Sequence, residues 1–195
     1  MLIRGHIALM YKKEFRRLKL MIKNFDEHCF LEKVMVTKIL YIKTYYKNLL
    51  YEIDGLNDIF GYYSVCSTAL SISLVAIAVF QIIQTKSVNF EVIFRICPAT
   101  VSLGSLMFDV LSCGSTTNES KGLVKACFDV IDDFLYKNLS SDSVKRMLEL
   151  IDFIDKYPAE FTAKHFFDIN KTTFLHVLSN CMTYLIVVYT WPRSK

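Results

Sequence analysis

Metal, nucleophilic or acid–base chemistry in this chain would have to start from four histidines, six cysteines and a few close carboxylates. His6, His28, His165 and His176 include no pair at i, i+4 and no His-Glu-x-x-His element, which would set two imidazoles and a general base on one helix face. Cys29, Cys66, Cys97, Cys113, Cys127 and Cys181 show no Cys-x-x-Cys spacing. Cys66, Cys97 and Cys181 lie in or near apolar runs, where cysteine behaves as a small apolar residue rather than a ligand. Asp132-Asp133 and Asp152/Asp155 look like paired carboxylates, but on amphipathic helices they read as a solvated face. There is no glycine-rich phosphate loop and no Gly-x-Ser-x-Gly element. The chain reads as a non-enzyme that needs neither metal nor cofactor. What remains is a set of polar groups inside the last apolar run: the ionisable His176, with Ser179, Asn180 and Thr183. Lipid cannot satisfy these side chains, so they should face protein or water.

The elements that hold them are membrane helices. Hydrophobic residues make up 53% of the chain, and its charges are unevenly spread. The 27 residues between Asp58 and Lys86 carry no Asp, Glu, Lys, Arg or His. A hydrocarbon core of about 30 Å needs roughly 20 helical residues, and a charge at the centre costs roughly 2.5–3.5 kcal/mol on insertion scales. Residues 92–112 form a second apolar run, with Arg95 near one end and Asp109 near the other, both placed to snorkel to the interface. Residues 172–191 form a third. The expectation is an all-α integral membrane bundle with three transmembrane helices and long cytoplasmic helical extensions. Its parts are a cytoplasmic, anchor-like segment at 1–58, a span at 59–84, a span at 91–112, cytoplasmic helices at 114–168 and a last span at 170–191. The start of the chain does not read as a secretory signal, because its apolar stretch Ile7–Met10 is short and is followed, not preceded, by the basic run Lys12–Arg17.

Basic residues orient the chain. Residues 1–58 hold 11 Lys and Arg, residues 85–95 hold 2, residues 114–171 hold 8 and the tail after Trp191 holds 2. The positive-inside tendency places the first and third of these groups in the cytoplasm and the C-terminus outside, in a multi-pass protein of the cell membrane. The sequons at Asn118, Asn138 and Asn170 should then go unused. The basic run Lys12–Lys19 is read as lipid-adjacent cytoplasmic helix, not as a nucleic-acid site.

The cytoplasmic parts carry a helical period. Leu31, Val34, Met35, Ile39, Ile42, Tyr45/Tyr46, Leu49 and Leu50 recur at about 3.6 residues, and the helix should run through Leu56 and Ile59 into the first span, with Gly55 and Gly61 as places for a bend. Leu123, Cys127, Val130, Ile131, Phe134 and Leu135 share one face. Ser140, Ser141 and Asp142 offer caps to a helix carrying Val144, Met147, Leu148, Ile151 and Ile154, which Tyr157-Pro158 ends.

Four elements in order carry a family resemblance. They are Leu56-Asn57-Asp58-Ile59-Phe60-Gly61; Ser112-Cys113-Gly114 with Asn118-Glu119-Ser120-Lys121; Phe161-Thr162-Ala163-Lys164-His165-Phe166-Phe167-Asp168-Ile169-Asn170; and Thr183-Tyr184 followed by Leu185-Ile186-Val187-Val188-Tyr189 and Thr190. Over roughly residues 45–191 the chain resembles the C-terminal part of an insect gustatory receptor, whose last helix shows Thr-Tyr, five hydrophobic residues and Gln. Here Thr190 stands where that Gln is expected, and Lys164-His165 replace a small pair in the third element. The resemblance implies the last three of seven spans, in a fragment or truncated member about half a complete length. It also implies a subunit of a homo- or hetero-tetrameric, ligand-gated cation channel in membrane lipid, responding to a small-molecule tastant. The pore or gate falls on Thr183, Tyr184, Val187 and Thr190, with Val187 as the hydrophobic constriction and His176 and Asn180 as polar links between helices. Val101, Leu103 and Ser105 are the residues placed to join a tastant pocket. The rivals are an odorant receptor of the same superfamily and a small three-span assembly protein without a pore.

Overall fold

The computed structural model describes residues 2–25, 32–84, 90–136, 141–164 and 166–190. These form five helices: α1 (Leu2–Lys23), α2 (Glu32–Gln84), α3 (Phe90–Tyr136), α4 (Ser141–Lys156) and α5 (Lys171–Thr190). Among the described residues there is no strand, only an isolated antiparallel bridge between Thr162 and Asp168.

Length decides how α2 and α3 can sit. At 53 and 47 residues they run about 80 and 70 Å at 1.5 Å per residue, more than twice the hydrocarbon thickness. Each must therefore extend well beyond any membrane it crosses. The chain stays helical through Gly55 and Gly61, and α3 passes residues 112–114 without a break. Expected spans and cytoplasmic extensions are thus halves of the same two helices.

The core lies in one half. On α2, Met35, Ile39, Ile42, Tyr46, Leu49 and Ile53 are all at most 5% exposed, and their alternating spacing of four and three makes a continuous seam. Phe15, Leu18 and Ile22 of α1 pack into it, with Leu123, Cys127 and Val130 of α3 and Met147, Ile151 and Ile154 of α4. Tyr46 donates its hydroxyl hydrogen to Tyr157 O at 2.9 Å and sits 3.1 Å from Ser120 Oγ, so its polar tip is satisfied inside the bundle. Burial pushes the Cys127 thiol up to about 12 and keeps it protonated. Two expectations shift within this face. Leu148 is 48% exposed while Leu150 is fully buried, and Val34 is 46% exposed. Leu31, Ser140, Asn138 and the side chains of Phe134 and Leu135 lie outside the described residues.

Residues 1–58 are not one helical segment. Asn24 N–H donates to Leu20 O (2.9 Å) and Phe25 N–H to Ile22 O (3.2 Å), closing α1, and Phe25 turns back into the core at 2% exposure. α1 lies mainly against α3. Gly5 makes this approach possible, since a Cβ there would stand 2.6 Å from the Phe108 ring.

The other halves of α2 and α3 are apolar but thinly covered. Val34–Gln81 and Ile96–Asp133 are long and apolar enough to cross a membrane, yet only 17% and 33% of their most apolar windows are buried. The core helix of a water-soluble protein would be mostly buried, so lipid is the fitting surrounding. Between the two helices, Ser71 Oγ and Ser102 Oγ meet at 2.6 Å, the small polar pairing that helices in lipid use to associate.

Candidate functional site

α4 hands the chain to α5 through a compact hinge. Ile169 N–H donates to Phe161 O (2.8 Å) and Ala163 N–H to Phe167 O (2.9 Å), so residues 161–169 fold back on themselves. Lys164 takes a positive φ of 50° at the tip. Phe161, Ala163 and Ile169 are buried. Asn57 of α2 clamps the entry: its Nδ2 donates to Glu160 O and its Oδ1 accepts from Thr162 N–H, both at 3.0 Å. Lys164 Nζ reaches Asp58 Oδ1 at 2.6 Å and lies over the Tyr62 ring, and the Asp58 carboxylate holds this ammonium above its usual range. Gly61 lies so close to the Lys164 backbone that a Cβ would stand 2.6 Å from its nitrogen. Asn170 Oδ1 accepts from Thr173 N–H at 2.8 Å and caps α5.

Three of the four sequence elements therefore converge. Asn57, Asp58 and Gly61 hold the hinge from α2. Across a cleft of about 450 Å³, Gly114, Asn118 and Lys121 of α3 face Glu160, Asp168 and Asn170. Asn57→Ala should leave Glu160 O and Thr162 N–H without their partner. At about 1–3 kcal/mol per stranded buried group, its thermal unfolding should move down clearly, whereas the exposed Asp54→Ala should leave it nearly unchanged.

A buried ion pair lies beside the hinge. Arg4 Nη2 meets Asp109 Oδ2 at 2.9 Å with both side chains 3% exposed, and Arg4 Nη1 also donates to Ser64 Oγ. This joins α1, α2 and α3 at one point. It corrects the expectation that Asp109 snorkels to an interface: a carboxylate one turn inside the apolar run is matched by a guanidinium from another helix. The basic run of α1 is corrected in part as well. Lys12 donates to Ser115 Oγ, and Arg16 and Lys19 reach Glu119 at 3.5 and 3.7 Å. Much of that charge docks α1 on α3 instead of facing lipid.

α5 is 20 residues long, about 30 Å, and packs mainly through its first turns. Phe174 and Leu178 line a small apolar cavity with Ser71, Ile72, Val75, Leu103 and Leu106 of the neighbouring helices. His176, Asn180, Thr183, Val187 and Thr190 follow one another at spacings of four and three, which places them on one stripe, and all are exposed. Val187 is 48% exposed. The Thr183 hydroxyl donates to Ser179 O (3.0 Å) and that of Thr190 to Ile186 O (2.9 Å), so both are satisfied within their own helix. The side chain of Tyr184, His165 and residues 191–195 lie outside the described residues. Of the pocket residues, Leu103 faces α5, whereas Val101 is 65% exposed. Among the described residues no three His, Cys, Asp or Glu side chains gather where a metal could be held.

A helical bundle with two apolar helices long enough to span a membrane, joined through a clamped hinge to a further apolar helix, has the make-up of a membrane receptor. The family model described as 7tm chemosensory receptor matches residues 1–189. The chain belongs to that chemosensory receptor family, which is a family of receptors and not of enzymes. No curated protein matches it. The match begins at residue 1 and so includes α1, for which the sequence offered no motif.

Proposed function

We propose that the chain is a gustatory-type chemoreceptor subunit of a tetrameric, ligand-gated cation channel, in which α5 lines the pore. The observation that carries this reading is the stripe His176, Asn180, Thr183, Val187 and Thr190, exposed along one face of a largely apolar helix. Polar side chains on a lipid face are unfavourable. The same face turned toward copies of itself gives a polar, water-accessible wall with a ring of Val187 as its apolar constriction, which closes by dewetting. Thr190 then forms a hydroxyl ring just beyond it. Because its hydroxyl bonds back to Ile186 O, that ring presents a weaker polar surface than a Gln would.

In this reading α2, α3 and α5 are three spans, with the core of α1, α4, the first half of α2 and the second half of α3 in the cytoplasm, and the C-terminus outside. The basic content of residues 1–58 and 114–171 supports that orientation. The ligand is a small-molecule tastant. The test is expression of the chain with a full-length receptor subunit. The expected result is a ligand-dependent cation current and a tetramer on crosslinking, with Asn118 and Asn138 unglycosylated in microsomes. Absence of both current and tetramer would favour a non-channel assembly protein, and glycans at either site would reverse the topology.

A further inference from the structure

We propose that the small cavity beside the Arg4–Asp109 pair binds one ordered water, which completes the hydrogen bonding of the buried charges and ties them to the first turn of α5. Two atoms of the pair, Arg4 Nε and Asp109 Oδ1, are buried and make no hydrogen bond within the protein. Both residues line a cavity of about 20 Å³ together with Thr68 of α2 and Thr173 of α5. One water needs roughly 10–15 Å³ of such space and two to four polar partners. The cavity has room for one and not for two.

Charge decides what kind of occupant fits. Arg4 and Asp109 already neutralise each other at 2.9 Å, and Asp168, which also lines the cavity, is exposed to solvent, so no charge there calls for an ion. A neutral molecule that both accepts and donates is what the walls call for. Water accepts from Arg4 Nε–H, donates one hydrogen to Asp109 Oδ1, and keeps its second hydrogen for a threonine hydroxyl. An empty cavity is the rule only where the lining is apolar, and this lining holds both members of an ion pair. The consequence is mechanical: α1, α2 and α3 are joined directly by Arg4, Asp109 and Ser64, and the water extends that joint to α5, adding to the hold of the hinge and of its apolar packing on α2 and α3.

Brief X-ray radiolysis of the full chain in lipid nanodiscs, read by mass spectrometry, tests this. Radicals generated from a bound water oxidise neighbouring side chains that bulk solvent does not reach. Leu106, Val110 and Ile169 line the cavity and are only 5–6% exposed. They should be oxidised several-fold faster than Leu18 and Ile22, which are fully buried in the core away from it. Thr68→Leu, which fills the cavity while leaving the ion pair in place, should abolish the excess. Equal rates at the two sets of residues in the unmodified chain would show a dry cavity and overturn the proposal. Excess labelling that survives Thr68→Leu would trace the radicals to bulk solvent and overturn it as well.

Discussion

Replacing Asp109 with alanine should destabilise the folded bundle by about 3–5 kcal/mol, the cost of leaving a buried charge without its partner. The Arg4 guanidinium would remain at 3% exposure, with neutral partners such as Ser64 in place of a carboxylate. The pair itself need not add stability, because removing two charges from water costs about what their attraction returns. Arg4→Met with Asp109→Leu should therefore recover much of the loss in the single variant. Thermal unfolding of the three forms in the same nanodiscs separates the cases. Equal damage from Asp109→Ala and from the double variant would mean that volume, not charge, holds α1 to α3. No damage from Asp109→Ala would mean that the pair is solvated in the membrane-embedded protein.

The second large effect is expected at Val187. An apolar ring closes a narrow pore because water leaves it, and an amide at the same place would keep the constriction wet. Val187→Gln, expressed with a full-length receptor subunit, should raise the ligand-independent cation current several-fold, whereas Ile186→Gln, one residue around the helix, should not. Ile186 is as exposed as Val187, so the two substitutions carry similar burial costs and differ in the face they alter. A leak from Ile186→Gln alone would place the pore on a different face of α5.

The helices were legible in the sequence because period and charge both speak locally. The α2 seam from Met35 to Ile53 shows its spacing directly, Tyr157-Pro158 stops α4 at Lys156 as read, and the uncharged run after Asp58 announces an apolar helix. What the sequence hid was long-range pairing. Nothing local says that Arg4 belongs to Asp109, 105 positions away. A carboxylate inside an apolar run asks for a partner, but the run also permits snorkelling, and only the packing of α1 through Gly5 decides between them. The turn at Asn24-Phe25 was hidden for a related reason: no Pro or Gly marks it, and Phe25 is drawn back by the core. The hinge was seen as a motif without its mechanism. Asn57 and Gly61, read as part of a separate element, prove to be the surface on which Thr162 and Lys164 rest. On α5, the polar residues were singled out one by one, and the helix shows them to be a single stripe.

Cysteine accessibility along α5 would show which of its faces lines the pore. Cysteines placed singly at Asn180, Thr183, Val187 and Thr190, and for comparison at Leu175, Met182 and Ile186, would be exposed to a charged, water-soluble thiol reagent during ligand-evoked current in the co-expressed channel. Modification that changes the current at the stripe positions and spares the comparison positions is the expected result. Modification confined to the comparison positions, or current untouched at every stripe position, would contradict a pore lined by this face of α5.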